Sequence, residues 1–127
     1  MNKFLLVGVG GFVGSILRYW FSGAVQQWLQ NAVFPFGTLA VNVIGCFVIG
    51  FLSQLAEARG VFTEETRALV FVGVLGGFTT FSTFSNETMN FLRDGEMLSA
   101  FWNIGTHLVL GLGAVWLGRS LAYLIWK

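Results

Sequence analysis

The residues best suited to ion chemistry are hydroxyls and phenylalanines that alternate within one apolar stretch. Positions 78–85 read Phe-Thr-Thr-Phe-Ser-Thr-Phe-Ser, directly after two adjacent glycines. An aromatic ring has a positive edge and a hydroxyl donates a hydrogen bond, so both groups attract a small anion. Phe81 and Phe84 are three residues apart and share one face of a helix. The pattern indicates either an anion site or phenylalanines that pack in a core or face lipid.

Further polar residues lie inside apolar segments, where an ionisable group is a functional candidate by default. They are Arg18, Asn42, Glu87 and His107. Thr38 precedes Asn42 by one turn and shares its helix face. We interpret Asn42 as an interhelical tie or a pore-lining donor, and His107 as a hydrogen-bonded packing residue or a ligand. A single histidine with no Cys or carboxylate at ligand spacing does not predict a metal site.

No group of residues predicts catalysis. The sequence contains neither G-x-S-x-G nor H-E-x-x-H, and it has no pair of buried carboxylates. The glycines at 8, 10, 11 and 14 do not fit the G-x-G-x-x-G nucleotide loop. The single cysteine, Cys46, cannot form an intrachain disulfide. We therefore predict that the protein is not an enzyme.

The composition identifies the medium in which these residues work. Hydrophobic residues make up 55% of the 127 positions and charged residues only 10%, whereas a soluble domain has about 25% charged residues. Several apolar runs reach the roughly 18 residues that a membrane-spanning helix needs. The net charge of +1 favours neither nucleic acid nor an anionic surface as a partner. The sequence therefore predicts an integral membrane protein.

Four spans account for the whole chain, which we predict to be a single four-helix membrane domain over residues 1–127. A membrane accepts only helices or closed barrels, and these runs lack the alternation of barrel strands. The predicted fold class is all-α. The spans are 4–28, 38–56, 68–92 and 98–117, with a continuation of the last towards Trp126 as the alternative end.

The predicted connections are short and contain most of the charge. They are 31–37 with the single proline, 57–67 with five charges, and 93–96 with a glycine turn. Four spans place both termini on the same side of the membrane, and only Arg93 lies clearly on the opposite side. Five basic residues lie on the side of the termini: Lys3, Arg59, Arg67, Arg119 and Lys127. This favours cytoplasmic termini only weakly. Such a bias is compatible with insertion in both orientations.

The third span contains the most unusual backbone sequence. Gly76 and Gly77 precede Thr79 and Thr80, and glycines followed by β-branched residues weaken a helix. One interpretation is a helix broken at membrane depth, whose freed carbonyls could hold a small cation. The other is a continuous helix whose hydroxyls bond back to the preceding turn.

Small residues four apart predict close helix packing. Gly10 and Gly14 form one such pair, and Gly73 and Gly77 form another. In lipid, pairs of this kind let two helix backbones approach closely. One chain of this size encloses little space for a wet pathway, which favours an oligomer.

Three motifs resemble those of the Fluc (CrcB) fluoride channel family. Residues 76–85 resemble its G-G-x-T-T-F-S-T-F-S signature, residues 37–42 resemble G-T-x-x-x-N, and residues 17–18 resemble an L-R pair. The order and spacing of the motifs, the chain length and the four-span plan agree over nearly the whole chain. The third-span motif is specific, whereas the other two are short.

The resemblance implies a passive channel through which cytoplasmic fluoride leaves the cell. It implies an antiparallel, dual-topology homodimer with two pores in the bacterial inner (cytoplasmic) membrane. Phe81 and Phe84 would supply ring edges, and Asn42, Ser82 and Thr83 would form the polar lining. Two further residues complete the predicted fluoride pore: Thr38 and His107.

The resemblance also implies a structural sodium ion at the dimer interface, held by the backbone carbonyls of Gly76 and Thr79. Arg18 would lie near an aqueous vestibule, and Glu87 would lie beyond the break in the third span. Members of the family often have a serine where this chain has Gly111. A glycine there offers no hydroxyl, so His107 or a water would take over that position in the polar track.

Two other classes of membrane protein share the size and the four spans. A small proton-coupled multidrug exporter would need a membrane-embedded carboxylate, for which Glu87 is the only candidate. A non-transporting assembly subunit would explain the glycines but would leave the hydroxyl and phenylalanine run without a role.

Overall fold

The computed structural model of the protein describes residues 2–126, whose regular structure is helical throughout. Lys127, one of the basic residues used above to predict orientation, lies outside this range. Four helical stretches within it are long and apolar enough to cross a membrane: Lys3–Trp28, Phe36–Arg59, Glu64–Arg93 and Met97–Ile125. Each exceeds the roughly 20 residues that 30 Å of hydrocarbon requires. The predicted all-α, four-span plan is confirmed.

Three of the spans are uninterrupted α-helices. Helix α1 covers Lys3–Trp28 and begins where the Asn2 side chain accepts a hydrogen bond from the backbone N–H of Phe4, at 2.8 Å. Helix α2 covers Phe36–Arg59 and ends at Gly60, whose φ of +61° suits glycine. The last span covers Met97–Ile125, so the predicted continuation beyond residue 117 towards Trp126 is correct.

The third span is built from several segments. It begins with α3 (Glu64–Arg67), widens into a π-helix over Ala68–Leu75 and returns to α-helix in α4 (Gly76–Phe78). The next two residues, Thr79 and Thr80, have extended backbones with ψ of 159° and 112°. Helix α5 then covers Phe81–Arg93, and the last span, Met97–Ile125, is named α6.

The predicted connection over residues 57–67 is wrong in its length. The flanking helices include all five of these charged residues, and only 60–63 lie between them. Thr63 caps the next helix by accepting a hydrogen bond from the backbone N–H of Thr66. Glu57 pairs with Arg119 at 3.1 Å near the end of α6. Charge at a helix end does not stop the helix, because such residues extend beyond the hydrocarbon.

The helices pack mainly as two pairs. Helix α1 lies along the first half of the third span (64–78), and α2 lies along α6. At the first contact, a Cβ atom added to Gly73 would lie 2.9 Å from the Cα atom of Gly10. A Cβ on Gly77 would lie 2.8 Å from the carbonyl oxygen of Gly11. The predicted small-residue pairs therefore do mediate close packing.

Candidate functional site

A cavity of about 400 Å³ lies between α2, the third span and α6. Its lining brings together residues that are up to 69 positions apart in sequence, from Asn42 to Gly111. Six of the predicted site residues contribute to it: Asn42, Gly76, Thr79, Phe81, Phe84 and His107. Most of this lining is apolar, with a small number of polar groups, as in most ligand sites.

Asn42 and Thr80 form a paired contact at the point where the helical backbone stops. The backbone N–H of Thr80 donates to Oδ1 of Asn42 at 2.8 Å, and Nδ2 of Asn42 donates to the carbonyl oxygen of Thr80 at 3.1 Å. One side-chain amide thus satisfies both backbone groups of an extended residue. Asn42 is an interhelical tie, which was one of its two predicted roles.

His107 connects this contact to the phenylalanines. Its Nε2 lies 3.1 Å from Nδ2 of Asn42, and its Nδ1 lies 3.0 Å from the carbonyl oxygen of Asn103. The imidazole ring also lies 4.3 Å from the ring of Phe84, centroid to centroid. His107 is therefore a hydrogen-bonded packing residue within the cavity lining.

Phe81 and Phe84 begin α5, and their ring centroids are 5.6 Å apart. Phe84 is partly buried, whereas Phe81 is 79% exposed within the single chain. The hydroxyl groups of Thr80, Ser82 and Thr83 lie close together at the same end of α5. Thr80 Oγ1 donates to Thr83 Oγ1 at 3.0 Å and lies 3.3 Å from Ser82 Oγ. Because Thr83 accepts in this bond, its own hydroxyl proton remains available to another acceptor.

Thr38 and Glu87 meet in a separate groove between the ends of α1 and α2. The Thr38 hydroxyl donates to Oε1 of Glu87 at 2.6 Å, and Ser22 and Gln26 of α1 line the same groove. The other carboxyl oxygen of Glu87 is buried without a hydrogen-bond partner among residues 2–126. A buried acceptor without a donor is costly, so this oxygen requires a proton, a water molecule or another donor.

Arg18 reaches the third span from α1. Its Nε donates to the carbonyl oxygen of Gly77 at 3.0 Å. That carbonyl lies at the end of α4, where the interrupted helix leaves carbonyls without their usual donors. Among residues 2–126 the remaining N–H groups of the guanidinium have no hydrogen-bond acceptor, so they can contact water or an anion.

The carbonyls predicted to hold sodium belong to Gly76 and Thr79. In a continuous helix they would accept from the N–H groups of Thr80 and Thr83. Those N–H groups instead donate to Oδ1 of Asn42 and to Oγ1 of Thr80. Oxygen ligands of this kind suit a hard cation. The interruption therefore leaves the two predicted carbonyls without their normal helical donors.

Asn103 and Thr88 are site residues that the sequence analysis missed. Asn103 is fully buried, and its Nδ2 donates to the hydroxyl of Thr88 at 2.9 Å. Thr88 in turn donates to the carbonyl oxygen of Phe84 at 2.8 Å. A signal was present in the sequence, because Asn103 is a polar residue one turn before His107 on the same helix face.

Gly111 lines the cavity one turn beyond His107. A Cβ atom added there would meet only Cys46 within 4 Å among the described residues, with Sγ at an ordinary contact distance of 3.6 Å. The position therefore has room for a Cβ atom. His107 already places a polar group on this side of the cavity.

All of the site residues described above lie within the part of the chain that matches one protein family. The family described as "CrcB-like protein, Camphor Resistance (CrcB)" matches residues 5–119. The chain belongs to the CrcB family. Its cavity, its paired Asn42–Thr80 contact and its hydroxyl run all lie within the matched range.

Curated CrcB relatives resemble the chain over nearly its full length. A protein named fluoride-specific ion channel FluC from Shewanella loihica is 47% identical over 123 residues, covering 97% of this chain and 98% of its own. A protein of the same name from Opitutus terrae is 48% identical, covering 96% and 93%. FluC 1 from Methanosarcina acetivorans is 44% identical, covering 96% and 92%. The chain is thus a multi-pass membrane protein of an ion-channel family, not of an enzyme family.

Proposed function

We propose that this CrcB protein is a passive, fluoride-selective channel that lets cytoplasmic fluoride escape. The observation that carries the proposal is the cavity lined by two phenylalanine rings, the Asn42 amide and the first two threonines of the hydroxyl run. Its relatives named as fluoride-specific channels support the same ion as the substrate. They favour a channel over a proton-coupled exporter working through Glu87.

The proposed pathway replaces the hydration of fluoride with protein groups. Fluoride is small and strongly hydrated, so a pore must offer donors and still bind weakly enough for release. The positive edges of Phe81 and Phe84 and the free hydroxyl proton of Thr83 supply such groups. Four more polar side chains complete the proposed lining: Ser82, Asn42, Thr38 and His107.

We propose that two chains assemble as an antiparallel homodimer with two pores and that each chain inserts in either orientation. Phe81 is 79% exposed in the single chain, and Gly76 is exposed beside it in the cavity lining. A second copy would supply the missing wall and cover the polar, exposed side of α5. The cytoplasmic (inner) membrane of a bacterium is the proposed location.

We propose that the interruption at Thr79 and Thr80 lies at membrane depth and that it binds a structural sodium ion. The carbonyls of Gly76 and Thr79 are released from their usual helical donors. Two carbonyls are too few to surround a hard cation, which takes several oxygen ligands. A two-fold axis would bring the same pair from a second copy. The ion would fix the two interrupted helices relative to each other.

Arg18 and Glu87 are proposed to act at the entrances of the pathway. The Nε–H group of Arg18 donates to the carbonyl oxygen of Gly77. The remaining N–H groups of the positively charged guanidinium would attract anions into a vestibule. Glu87 lies beyond the interruption, where Thr38 holds one of its carboxyl oxygens.

Separate replacement of Phe81 and Phe84 by leucine tests the proposed pathway. We expect each variant to assemble but to lose most fluoride flux in liposomes, because an aliphatic side chain has no positive ring edge. The matched control is Phe12→Leu, since Phe12 on α1 is 69% exposed and lies outside the cavity. Unchanged flux in both cavity variants would remove the role of the ring edges.

A further inference from the structure

The two ring nitrogens of His107 each have a defined partner. Nε2 faces Nδ2 of Asn42 at 3.1 Å, and Nδ1 faces the carbonyl oxygen of Asn103 at 3.0 Å. A histidine nitrogen donates or accepts according to whether it carries the proton. The chemical nature of the two partners therefore determines where the proton lies.

The orientation of the Asn42 amide is itself fixed by Thr80. The backbone N–H of Thr80 only donates and its carbonyl only accepts. A flipped amide would place its NH₂ group 2.8 Å from that N–H and its oxygen 3.1 Å from that carbonyl. Both contacts would then be repulsive. The atom that faces His107 is therefore the NH₂ group, which is a donor.

The tautomer of His107 follows from this orientation. Its Nε2 must accept from Asn42, so Nε2 carries no proton. Its Nδ1 must donate, because the carbonyl oxygen of Asn103 only accepts. An imidazolium would direct an Nε2–H group at the NH₂ group of Asn42 and would break that contact.

We propose that His107 is a neutral, Nδ1-protonated positioning residue that holds the Asn42 side chain and the Phe84 ring in place and offers no N–H group to a passing anion. It acts on Asn42 through the hydrogen bond and on Phe84 through the ring contact at 4.3 Å. His107 contacts the backbone carbonyl of Asn103. The side chain of Asn103 donates to Thr88, which donates to the backbone carbonyl of Phe84. The functional consequence rests on the proposed channel activity, whereas the tautomer does not.

Nitrogen NMR of the bilayer-embedded wild-type protein tests the tautomer directly. His107 is the only histidine in the chain, so ring-¹⁵N labelling reports one residue once an affinity tag without histidine is used. We expect one protonated and one unprotonated nitrogen at neutral pH, with the proton on Nδ1, and no change of tautomer when fluoride is added. A proton on Nε2, a charged ring, or a tautomer that changes with fluoride would overturn the proposal.

Two variants test the positioning role. In His107→Gln, the side-chain oxygen can reach the position of Nε2 and accept from Asn42, whereas His107→Leu has no acceptor. We expect the fluoride flux of the Leu variant to be on the order of tenfold below that of the Gln variant. Equal fluxes in two well-folded variants would overturn the positioning role.

The same samples separate this proposal from the proposed function. A wild-type protein that conducts fluoride with its proton on Nε2 overturns only the tautomer assignment. A wild-type protein with the Nδ1 proton that conducts no fluoride overturns only the channel function.

Discussion

Asn42 supplies the two hydrogen bonds that an interrupted helix would otherwise lack. Where lipid or packed protein excludes water, a free backbone N–H or carbonyl group needs a partner from the protein or a bound ion. The two amide atoms of Asn42 satisfy both backbone groups of Thr80. The extended residue is therefore tolerated because a side chain from α2 substitutes for a helical turn.

Two replacements of Asn42 should separate its effect on stability from its effect on fluoride flux. Asn42→Ala removes both bonds, and Asn42→Asp keeps the acceptor but opposes a carboxylate to the carbonyl of Thr80. We expect each variant to lose about 1–3 kcal/mol of stability, the cost of an unsatisfied buried polar group. The Asp variant should also repel anions and conduct less fluoride than the Ala variant. Thermal unfolding in detergent and fluoride flux would measure the two effects, and an Asp variant that conducts better than Ala would contradict this account.

The polar residues of the site were largely predictable, but their partners were not. Asn42, His107 and Glu87 were identified because polar groups within apolar runs are rare and costly. The sequence left open whether Asn42 ties helices together or lines a pore. Its partners Thr80 and His107 are 38 and 65 positions away. Only the packing of α2 against both the third span and α6 determines those contacts.

The contact between α1 and the first half of the third span depends on the absence of side chains. Gly10 and Gly14 lie against backbone atoms of the π-helix and of α4, where a Cβ atom has no room. In lipid such close approach lets two helix backbones make the van der Waals contacts that favour their association. Arg18 of the same helix reaches the carbonyl of Gly77 only because this approach is close.

Gly14→Ala and Gly8→Ala form a matched pair for this contact. A Cβ on Gly14 would lie 2.9 Å from the backbone nitrogen of Phe78, whereas one on Gly8 would meet no atom of residues 2–126 within 4 Å. We expect Gly14→Ala to lower stability by about 1–3 kcal/mol through overpacking. Gly8→Ala should be neutral or slightly stabilising, because alanine favours a helix. Equal melting temperatures for the two variants would show that this glycine contact contributes little.

The helices themselves were predicted well and their ends less well. Apolar length identified all four spans, because hydrocarbon thickness sets a minimum length. It did not show that α2 and the third span continue into charged residues such as Arg59 and Glu64. The π-helix over Ala68–Leu75 also had no signal, because its apolar residues are equally compatible with an α-helix.

The proposed sodium ion would affect the stability of the whole proposed dimer. If the carbonyls of Gly76 and Thr79 from two copies enclose one ion, then sodium binds the folded dimer and not the unfolded chains. Such binding raises stability with ligand concentration. We expect the unfolding temperature of the dimer to fall when sodium is replaced by a bulky organic cation at constant ionic strength. The same unfolding temperature in both solutions would contradict a structural sodium site.

Fluoride efflux from liposomes containing the purified protein tests the proposed function most directly. We expect rapid release of fluoride down its gradient from vesicles of wild-type protein, without a proton gradient or nucleotide, while chloride is retained under the same conditions. Vesicles without protein provide the baseline for fluoride that leaks as hydrogen fluoride. Retention of both ions by well-folded protein, or release of chloride as fast as fluoride, would contradict a fluoride-selective channel.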